Sequence, residues 1–222
     1  MALFKTEDRS EGLAALRRKI SKNRRLPPRE AAGRALAFIA STARSRIQLR
    51  KVNSMGIGVR VLGLAPVIHN RGAIKLGNDV VLEARTRRIF FNVWPEGELI
   101  LGYGVAVNDG VRFDCTCSIS VGERGMIGYG VVISDSHFHG LHDREMRPTG
   151  KPVVLEDDVW VAANAMVFSG VRVGRGSVVA GGAVVRRDVP PFTVVVGNPA
   201  RVAGSLDPKK VKYRTTEGED WG

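Results

Sequence analysis

"VVLEDDVWVAANAMVFSGVRVGRGSVVAGGAVV", residues 153–185, carries an aliphatic residue at every sixth position. The aliphatic positions are Leu155, Val161, Val167, Val173, Val179 and Val185. A period of six fits neither an α-helix, which repeats every ~3.6 residues, nor an alternating strand with a period of about two. It is typical of a coil of short strands joined by tight turns, in which the aliphatic side chains point to a shared axis. Because each coil can bury its apolar face only against the next coil, the stretch predicts a stacked, mainly β repeat fold.

The same step of six residues recurs further upstream. It is found at Val121, Ile127 and Ile133, at Leu101, Val107 and Phe113, and more faintly at Leu76 and Leu82. Residues 83–100, "EARTRRIFFNVWPEGELI", fit the repeat poorly. We therefore expect either irregular first coils or an insertion there.

The composition favours short strands and tight turns in a reducing compartment. The chain is 44% hydrophobic but only 6% aromatic, and it contains 26 glycines. Cys115 and Cys117 stand too close for an unstrained bridge, so we expect free thiols. The start of the chain lacks the apolar region of a signal peptide, and the longest apolar stretch, 35–43, is too short to span a bilayer. We expect a cytoplasmic protein.

The positive charge is concentrated in the N-terminal segment. Residues 1–51 hold 14 Lys/Arg and 4 Asp/Glu, which is +10 of the net charge of +12. Apolar residues at helical spacing predict helices at about 8–24 and 29–50, separated by the prolines of "LPPRE". Three alternatives for this arm stay open: packing on the fold or on a partner subunit, contact with an anionic membrane surface, and nucleic-acid binding, for which no motif is present.

Three short motifs near the C-terminus carry a resemblance to a known family. They are "DDVW" at 157–160, "DVPP" at 188–191 and "GNPARV" at 197–202. With the repeats, they make residues 57–204 resemble the hexapeptide-repeat acyltransferases, in the subgroup of galactoside, maltose and polysaccharide O-acetyltransferases. The resemblance implies a left-handed parallel β-helix at 57–204, preceded by a basic helical arm at 1–56 and followed by a tail at 205–222.

The repeat is interrupted at 134–153, which predicts a loop extruded from the coil. It begins "SDSHFHG" and contains His137, His139 and His142. A neutral histidine suits a general base at neutral pH. The resemblance implies His139 in this role, with His137 as the competing position, while His142, in the same loop, and His69, outside the strong repeats, are interpreted as solvated or structural. Asp135 either orients the base or caps the turn where the loop departs.

The resemblance also implies a site for acetyl-CoA and for an acceptor. Asn108 corresponds to a position near the acceptor pocket, with a turn asparagine as the alternative. Trp160 lines the acetyl end, with packing at a coil corner as the alternative. Small residues let the pantetheine arm pass, and Ala162 is still small where relatives often have glycine. The full set implied for the cofactor is Trp160, Ala162, Ala180, Gly181, Arg186, Arg187, Gly197, Pro199, Ala200 and Arg201, with Asn198 in the same closing loop.

The resulting hypothesis is an acetyl-CoA-dependent O-acetyltransferase that works as a homotrimer without a metal. The acceptor is a sugar hydroxyl in a saccharide, a polysaccharide or its nucleotide- or lipid-linked precursor, and transfer is direct, in a ternary complex. The basic arm would bring the enzyme to the inner face of the membrane. The alternatives are an N-acetyltransferase acting on an amino-sugar nucleotide, a non-catalytic trimeric scaffold, and a zinc enzyme that resembles the carbonic anhydrases of this fold.

Overall fold

The computed structural model describes residues 27–139, 145 and 150–211. The chain winds into a left-handed parallel β-helix with three sheets along its sides. The first sheet contains β1 (Ser54–Met55), β4 (Ala73–Leu76), β7 (Glu98–Leu101), β10 (Ser118–Val121), β13 (Val153–Leu155) and β16 (Arg172–Val173). The second contains β2 (Arg60–Gly63), β5 (Val81–Ala84), β8 (Ala106–Val107), β11 (Met126–Ile127), β14 (Trp160–Val161), β17 (Val178–Val179), β19 (Thr193–Val196) and β20 (Arg201–Ser205). The third contains β3 (Val67–Asn70), β6 (Phe90–Val93), β9 (Arg112–Cys115), β12 (Val132–Ser134), β15 (Met166–Val167) and β18 (Val184–Val185).

The core is a column of the aliphatic residues that the repeat identified. Val161 pairs in register with Val179, and Val167 pairs with Val185, one coil further on. All four side chains are buried. Each buried valine contributes about 1.5–3 kcal/mol relative to an exposed one. The prediction of a β-helix of six-residue repeats is therefore confirmed.

Extra residues in the early coils lie mostly in longer strands, and the register between coils is kept. Val161 and Val179 are 18 residues apart, whereas Leu82 pairs with Val107, 25 residues further on. The poorly fitting segment 83–100 forms β6 and most of β7 in normal register. β5, β6 and β7 have four residues each, whereas β15, β16 and β17 have two, and the turn at 85–89 is one residue longer than the turn at 162–165. The segment therefore contains longer strands within an intact coil.

A single long excursion interrupts the coil between β12 and β13. Val121 pairs with Leu155, 34 residues further on, which leaves room for a loop outside the coil. The predicted extruded loop is present, and residues 134–139, 145 and 150–153 of it are described. Its tip, including His142, lies outside the described residues.

The N-terminal helix covers the first coil. Helix α1 (Pro28–Gln48) starts at a proline, which suits the first helical position. Its Ser45 is fully buried, and the Ser45 hydroxyl accepts a hydrogen bond of 2.9 Å from the backbone N–H of Val61 in β2. The helix agrees with the one predicted at 29–50, while the one predicted at 8–24 lies outside the described residues. No helix in the described part of the chain is long and apolar enough to cross a membrane.

The observed ends of the coil differ slightly from the predicted boundaries. The first strand begins at Ser54, three residues before the predicted start at 57, because Ser54 and Met55 already pair with β4. At the other end, β20 runs antiparallel to β19 and continues to Ser205.

Replacing an inward valine will be more costly than replacing its outward neighbour. Val179 is buried and Val178, next to it in β17, is only partly buried. We expect Val179→Ala to lower the free energy of unfolding by about 2 kcal/mol, through lost burial and a residual cavity. We expect Val178→Ala, the matched control, to lower it by less than about 1 kcal/mol. Urea denaturation of both variants measures this, and equal losses would show that the two faces of the strand are not distinct.

Candidate active site

The candidate residues lie at two corners of the β-helix. The second corner is the row of turns between the second and third sheets, and it includes 85–89, 108–111, 128–131, 162–165 and 180–183. The third corner is the row of turns between the third and first sheets, and it includes 94–97, 116–117, 168–171 and 186–190. The extruded loop leaves from the third corner.

Asp135 fastens the base of the loop to the coil below it. Its side chain is fully buried, and its carboxylate accepts hydrogen bonds from the backbone N–H groups of Thr116 and Cys117 at 2.8 and 2.7 Å. The Thr116 hydroxyl donates a third bond at 2.8 Å. The backbone carbonyl of Asp135 accepts from the N–H of Lys151, where the loop returns, at 2.9 Å. These contacts match the turn-capping role, and the role of Asp135 in orienting a histidine stays a prediction.

The returning strand of the loop passes close to the same corner. A Cβ added at Gly150 would lie 2.5 Å from the Thr116 hydroxyl oxygen and 2.7 Å from the Cβ of Cys117. Such distances are too short for real side chains. The loop therefore departs and returns through one tightly packed point.

The two cysteines lie beneath this point and are free, as expected. Burial and the neighbouring Asp135 charge raise the pKa of the Cys115 thiol far above its usual range. Burial, followed by the charges of Asp135 and Glu96, raises the pKa of Cys117 as well. Both thiols are therefore held in the protonated, poorly nucleophilic form at neutral pH.

The first residues of the loop fold back towards the N-terminal coils. The Ser134 hydroxyl donates to the Ser136 carbonyl at 2.8 Å, and the Phe138 N–H donates to the Ser136 hydroxyl at 3.1 Å. Phe138 has a φ of 61°, which turns the chain sharply. Its ring packs on Trp94, with centroids 5.3 Å apart. Since Trp94 belongs to a coil two turns nearer the N-terminus, the loop covers the third corner in that direction.

The two leading histidines flank this aromatic contact. His137 and His139 are both exposed, and the His139 N–H donates to the His137 carbonyl at 2.7 Å. His69 is on β3, exposed and in register with Asn92, away from the loop. Within the described residues no group of three or more His, Cys, Asp or Glu side chains could hold a metal ion.

The second corner presents Asn108 and a run of small residues. Asn108 is exposed, and its backbone N–H donates to the Ile127 carbonyl in the next coil. Ala162 and Ala180 stack above it in successive coils, with Gly181 following. Gly128 belongs to the same run, and a Cβ there would lie 2.9 Å from the Ala163 nitrogen. Small residues therefore form a row along this corner at Gly128, Ala162, Ala180 and Gly181.

Trp160 lies beside this row on the outer face of the second sheet. It occupies β14, pairs in register with Met126 and Val178, and is 45% exposed. Its indole ring is thus presented to an incoming molecule, although it was equally expected to pack at a corner.

The C-terminal residues implied for the cofactor converge on one groove. The groove has a volume of about 500 Å³ and is lined by Arg186, Arg187, Pro199, Ala200 and Arg201, among others. Gly197, with a φ of 91°, turns the chain into the closing loop. The structure therefore brings Arg201 close to Arg186 and Arg187, which precede it by 15 and 14 residues in sequence.

Sequence reasoning missed a second basic element, in the long turn between β5 and β6. Arg85, Arg87 and Arg88 are exposed there. The Asp109 carboxylate accepts from the backbone N–H groups of Thr86 and Arg87 at 2.6 and 2.9 Å. Burial would raise the pKa of Asp109, but these hydrogen bonds outweigh it and lower the pKa. The available signal was the break in the six-residue pattern at 83–100.

Removing the Asp135 charge will make Cys117 more reactive. In Asp135→Asn the neighbouring charge that helps to raise the pKa of Cys117 is lost, so more thiolate forms. We expect alkylation of Cys117 by iodoacetamide to become severalfold faster at about pH 8, as measured by mass spectrometry. The buried Cys115 is the internal control and stays protected in the folded protein. An unchanged rate at Cys117 would show that Asp135 has no influence on this corner.

Comparison with solved structures shows the same architecture in several acyltransferases. A hexapeptide-repeat-containing acetyltransferase from Vibrio cholerae is 25% identical, with a TM-score of 0.56 over 91% of this chain and 95% of its own. An N-acyltransferase from Bacillus cereus, in complex with dTDP and 3-hydroxybutyryl-CoA, is 19% identical with a TM-score of 0.62 over 74% and 89%. A galactoside acetyltransferase in complex with coenzyme A is 16% identical with a TM-score of 0.55 over 99% and 94%.

Among curated proteins the similarity is local. A 2,3,4,5-tetrahydropyridine-2,6-dicarboxylate N-acetyltransferase of Brevibacillus brevis is 55% identical over 62 residues, which is 28% of this chain and 26% of that protein. The Staphylococcus aureus protein of the same name is 56% identical over 55 residues, 25% and 23% of the two chains. The matches thus span about a quarter of the relatives' length. No protein-family model matches the sequence. Together these comparisons show that the chain has the left-handed β-helix fold of the hexapeptide-repeat acetyltransferases.

Proposed function

We propose that the chain is an acyltransferase that moves an acetyl group from acetyl-CoA to a sugar hydroxyl. The observation that carries the proposal is the exposed histidine pair on a loop that is clamped at its base to a rigid coil. A clamped loop holds a base in a reproducible place, which general base catalysis requires. The acceptor class covers a saccharide, a polysaccharide or its nucleotide- or lipid-linked precursor.

In the proposed reaction, one histidine acts as a general base and then as a general acid. His139, with His137 as the alternative, takes the proton of the acceptor hydroxyl as its oxygen attacks the thioester carbonyl carbon. A tetrahedral intermediate forms, its carbon–sulfur bond breaks, and the imidazolium returns the proton to the departing thiolate. The products are the acetyl ester and coenzyme A. No metal and no covalent acyl-enzyme are needed in this scheme.

The C-terminal groove supports a site for the nucleotide end of the donor. Arg186, Arg187 and Arg201 line it and offer the planar donors that phosphate groups prefer. The resemblance gives Gly197, Pro199 and Ala200 a place beside the adenine. From there the donor would follow the small residues of the second corner, past Ala180, Gly181 and Ala162, to Trp160 and Asn108.

The separation of the two corners supports a homotrimer. Asn108 precedes the third sheet and the histidine loop leaves at its far edge. A strand of four residues, such as β9, spans about 13 Å, whereas reacting groups must approach to about 3 Å. A threefold assembly would place the third corner of one chain against the second corner of its neighbour, so that a site is completed between subunits.

An amine acceptor is the second candidate. The curated relatives matched in part are N-acetyltransferases, and the Bacillus cereus structure is that of an N-acyltransferase. The same base would serve an amine, for instance on an amino-sugar nucleotide. A trimeric scaffold without turnover, or a zinc enzyme, would be recognised by coenzyme A binding without transfer and by metal analysis respectively.

The N-terminal helix supports a cytoplasmic enzyme that contacts an anionic membrane surface at its inner face. Leu36, Ile39 and Ile47 of α1 are 70%, 63% and 73% exposed. They lie on the side of the helix opposite Ser45, and Arg46 is close to the same stripe. An exposed apolar stripe among arginines is typical of helices that lie at the headgroup level.

Loss of the base will abolish transfer while donor binding persists. We expect His139→Ala to reduce acceptor-stimulated thiol release from acetyl-CoA by about 100-fold or more, across a panel of sugars, nucleotide sugars and amino sugars. His137→Ala is the matched control and should lose far less. A larger loss in His137→Ala would transfer the role to that residue, and equal full rates in both variants would refute a histidine base. Comparing hydroxyl and amino acceptors decides between the two enzymatic candidates.

Replacing a C-terminal arginine will weaken the binding of coenzyme A more than the binding of its 3′-dephospho form. We expect Arg201→Ala to weaken coenzyme A binding about tenfold, and to weaken binding of 3′-dephospho-coenzyme A less. Isothermal titration calorimetry measures both. Arg71→Ala, which removes an exposed arginine outside this groove, is the control. Undiminished binding of coenzyme A by Arg201→Ala and by a variant lacking all three arginines would contradict the proposed groove.

A further inference from the structure

Three arginines form an exposed ridge at the N-terminal end of the second corner. The arginine ridge is Arg85, Arg87 and Arg88, in the turn between β5 and β6. The turn has five residues, one more than the turn at 108–111 in the next coil. It lies one coil below Asn108 on the same corner.

The backbone of the ridge is held in place by a dedicated carboxylate. Asp109 accepts from the N–H groups of Thr86 and Arg87 and, at 3.3 Å, from the Thr86 hydroxyl. Because the hydrogen bonds keep the pKa of Asp109 low, the carboxylate stays ionised and the clamp persists at acidic pH. The arginine side chains project from a fixed turn, which lowers the entropy lost when they bind a ligand.

Arg87 extends from its own coil towards the row of small residues. A Cβ at Gly110, one coil higher, would contact the Arg87 side chain at 3.3 Å. Its guanidinium lies 5.3 Å from the ring centroid of Tyr129, which is two coils higher. This cation–π contact holds the guanidinium at the level of Gly128, beside Asn108.

A groove continues from the ridge to the helix. It has a volume of about 500 Å³ and lies between α1 and the first coil of the second sheet. Arg44 and Arg85 line it, together with Ser41 and the backbone around Leu62 and Gly63. Arg85 is 54% exposed even though it pairs with Glu83 at 2.7 Å. Arg85 therefore belongs both to the ridge and to this groove, where Arg44 adds a second positive charge.

We propose that the arginine ridge binds an oxyanion, a phosphate or a carboxylate, that belongs to the acceptor. The proposal rests on the proposed function, because the donor would end near Asn108 and leave the acceptor the next part of the corner. Arginine is the side chain best suited to planar, two-point recognition of such groups. The acceptors selected by this surface are therefore acidic, and a neutral sugar lacks the group that the ridge recognises.

Direct binding of small oxyanions to the full-length protein tests the ridge without any acyl transfer. The probes are inorganic pyrophosphate, UDP and glucuronate, with uridine and glucose as the uncharged counterparts, each followed by calorimetry. We expect Arg87→Gln/Arg88→Gln to bind the charged probes about tenfold more weakly than wild type. Arg71→Gln removes the same charge at the third corner and should bind as wild type does. Arg88→Gln alone leaves the Tyr129 contact intact and should still show a measurable loss.

The outcomes separate this proposal from the proposed function. Equal binding of the charged probes by wild type and the double variant, or no binding by wild type at about 10 mM, would overturn the ridge. Binding of pyrophosphate and UDP alone identifies phosphate as the recognised group, and binding of glucuronate alone identifies carboxylate. Coenzyme A affinity is measured on the same samples. Its absence in wild type would remove the acyltransferase proposal, whereas its persistence in the double variant shows that the loss is confined to the ridge.

Discussion

The vertical pairing of inward aliphatic side chains is the constraint on which the structure depends. Val161 stacks on Val179 and Leu155 on Val173, so every coil is buried by its neighbours. No coil can shift without exposing an entire row, so changes in coil length keep the inward positions in register. The turn at 85–89 and the loop after β12 both lie at corners, and both carry the residues with which we associate function.

Hydrogen bonds between neighbouring coils hold the histidine loop and the turn at 85–89 in place. Asp135 joins the start and the end of the loop to the turn at 116–117, and Asp109 joins the turn at 86–87 to the next coil. In each case a buried or engaged carboxylate satisfies backbone donors that a tight turn would otherwise leave unpaired. The histidine loop and the arginine ridge are thus extensions of a rigid scaffold, which is how loops come to hold chemical groups in place.

The sequence predicted the architecture well and the contacts poorly. The six-residue step identified the inward positions because burial on a common axis leaves a periodic trace, and the missing step at 134–153 located the loop. The left-handedness was implied by the family resemblance of "DDVW", "DVPP" and "GNPARV", because the six-residue spacing does not indicate a handedness. The partners of Asp135 could not be predicted. Cys117 and Thr116 precede it by 18 and 19 residues in the sequence, and they become its neighbours only when one coil stacks on another. The ridge was hidden for a different reason: the strands of this coil have four residues where β14 to β18 have two, which displaces the six-residue step at 83–100.

Both ends of the solenoid are closed by elements that break its parallel order. At the N-terminal end, the Ser45 hydroxyl of α1 accepts a hydrogen bond from the N–H of Val61, and the Lys51 ammonium donates one to the carbonyl of Ile68 at 3.3 Å. One backbone group in each of these two first strands is therefore satisfied by a side chain. At the finish, β20 lies antiparallel on β19 and cannot seed another parallel coil. A β-helix with open ends could add further copies head to tail and grow into a fibre. The helix at one end and the antiparallel strand at the other therefore disfavour head-to-tail addition of further parallel coils.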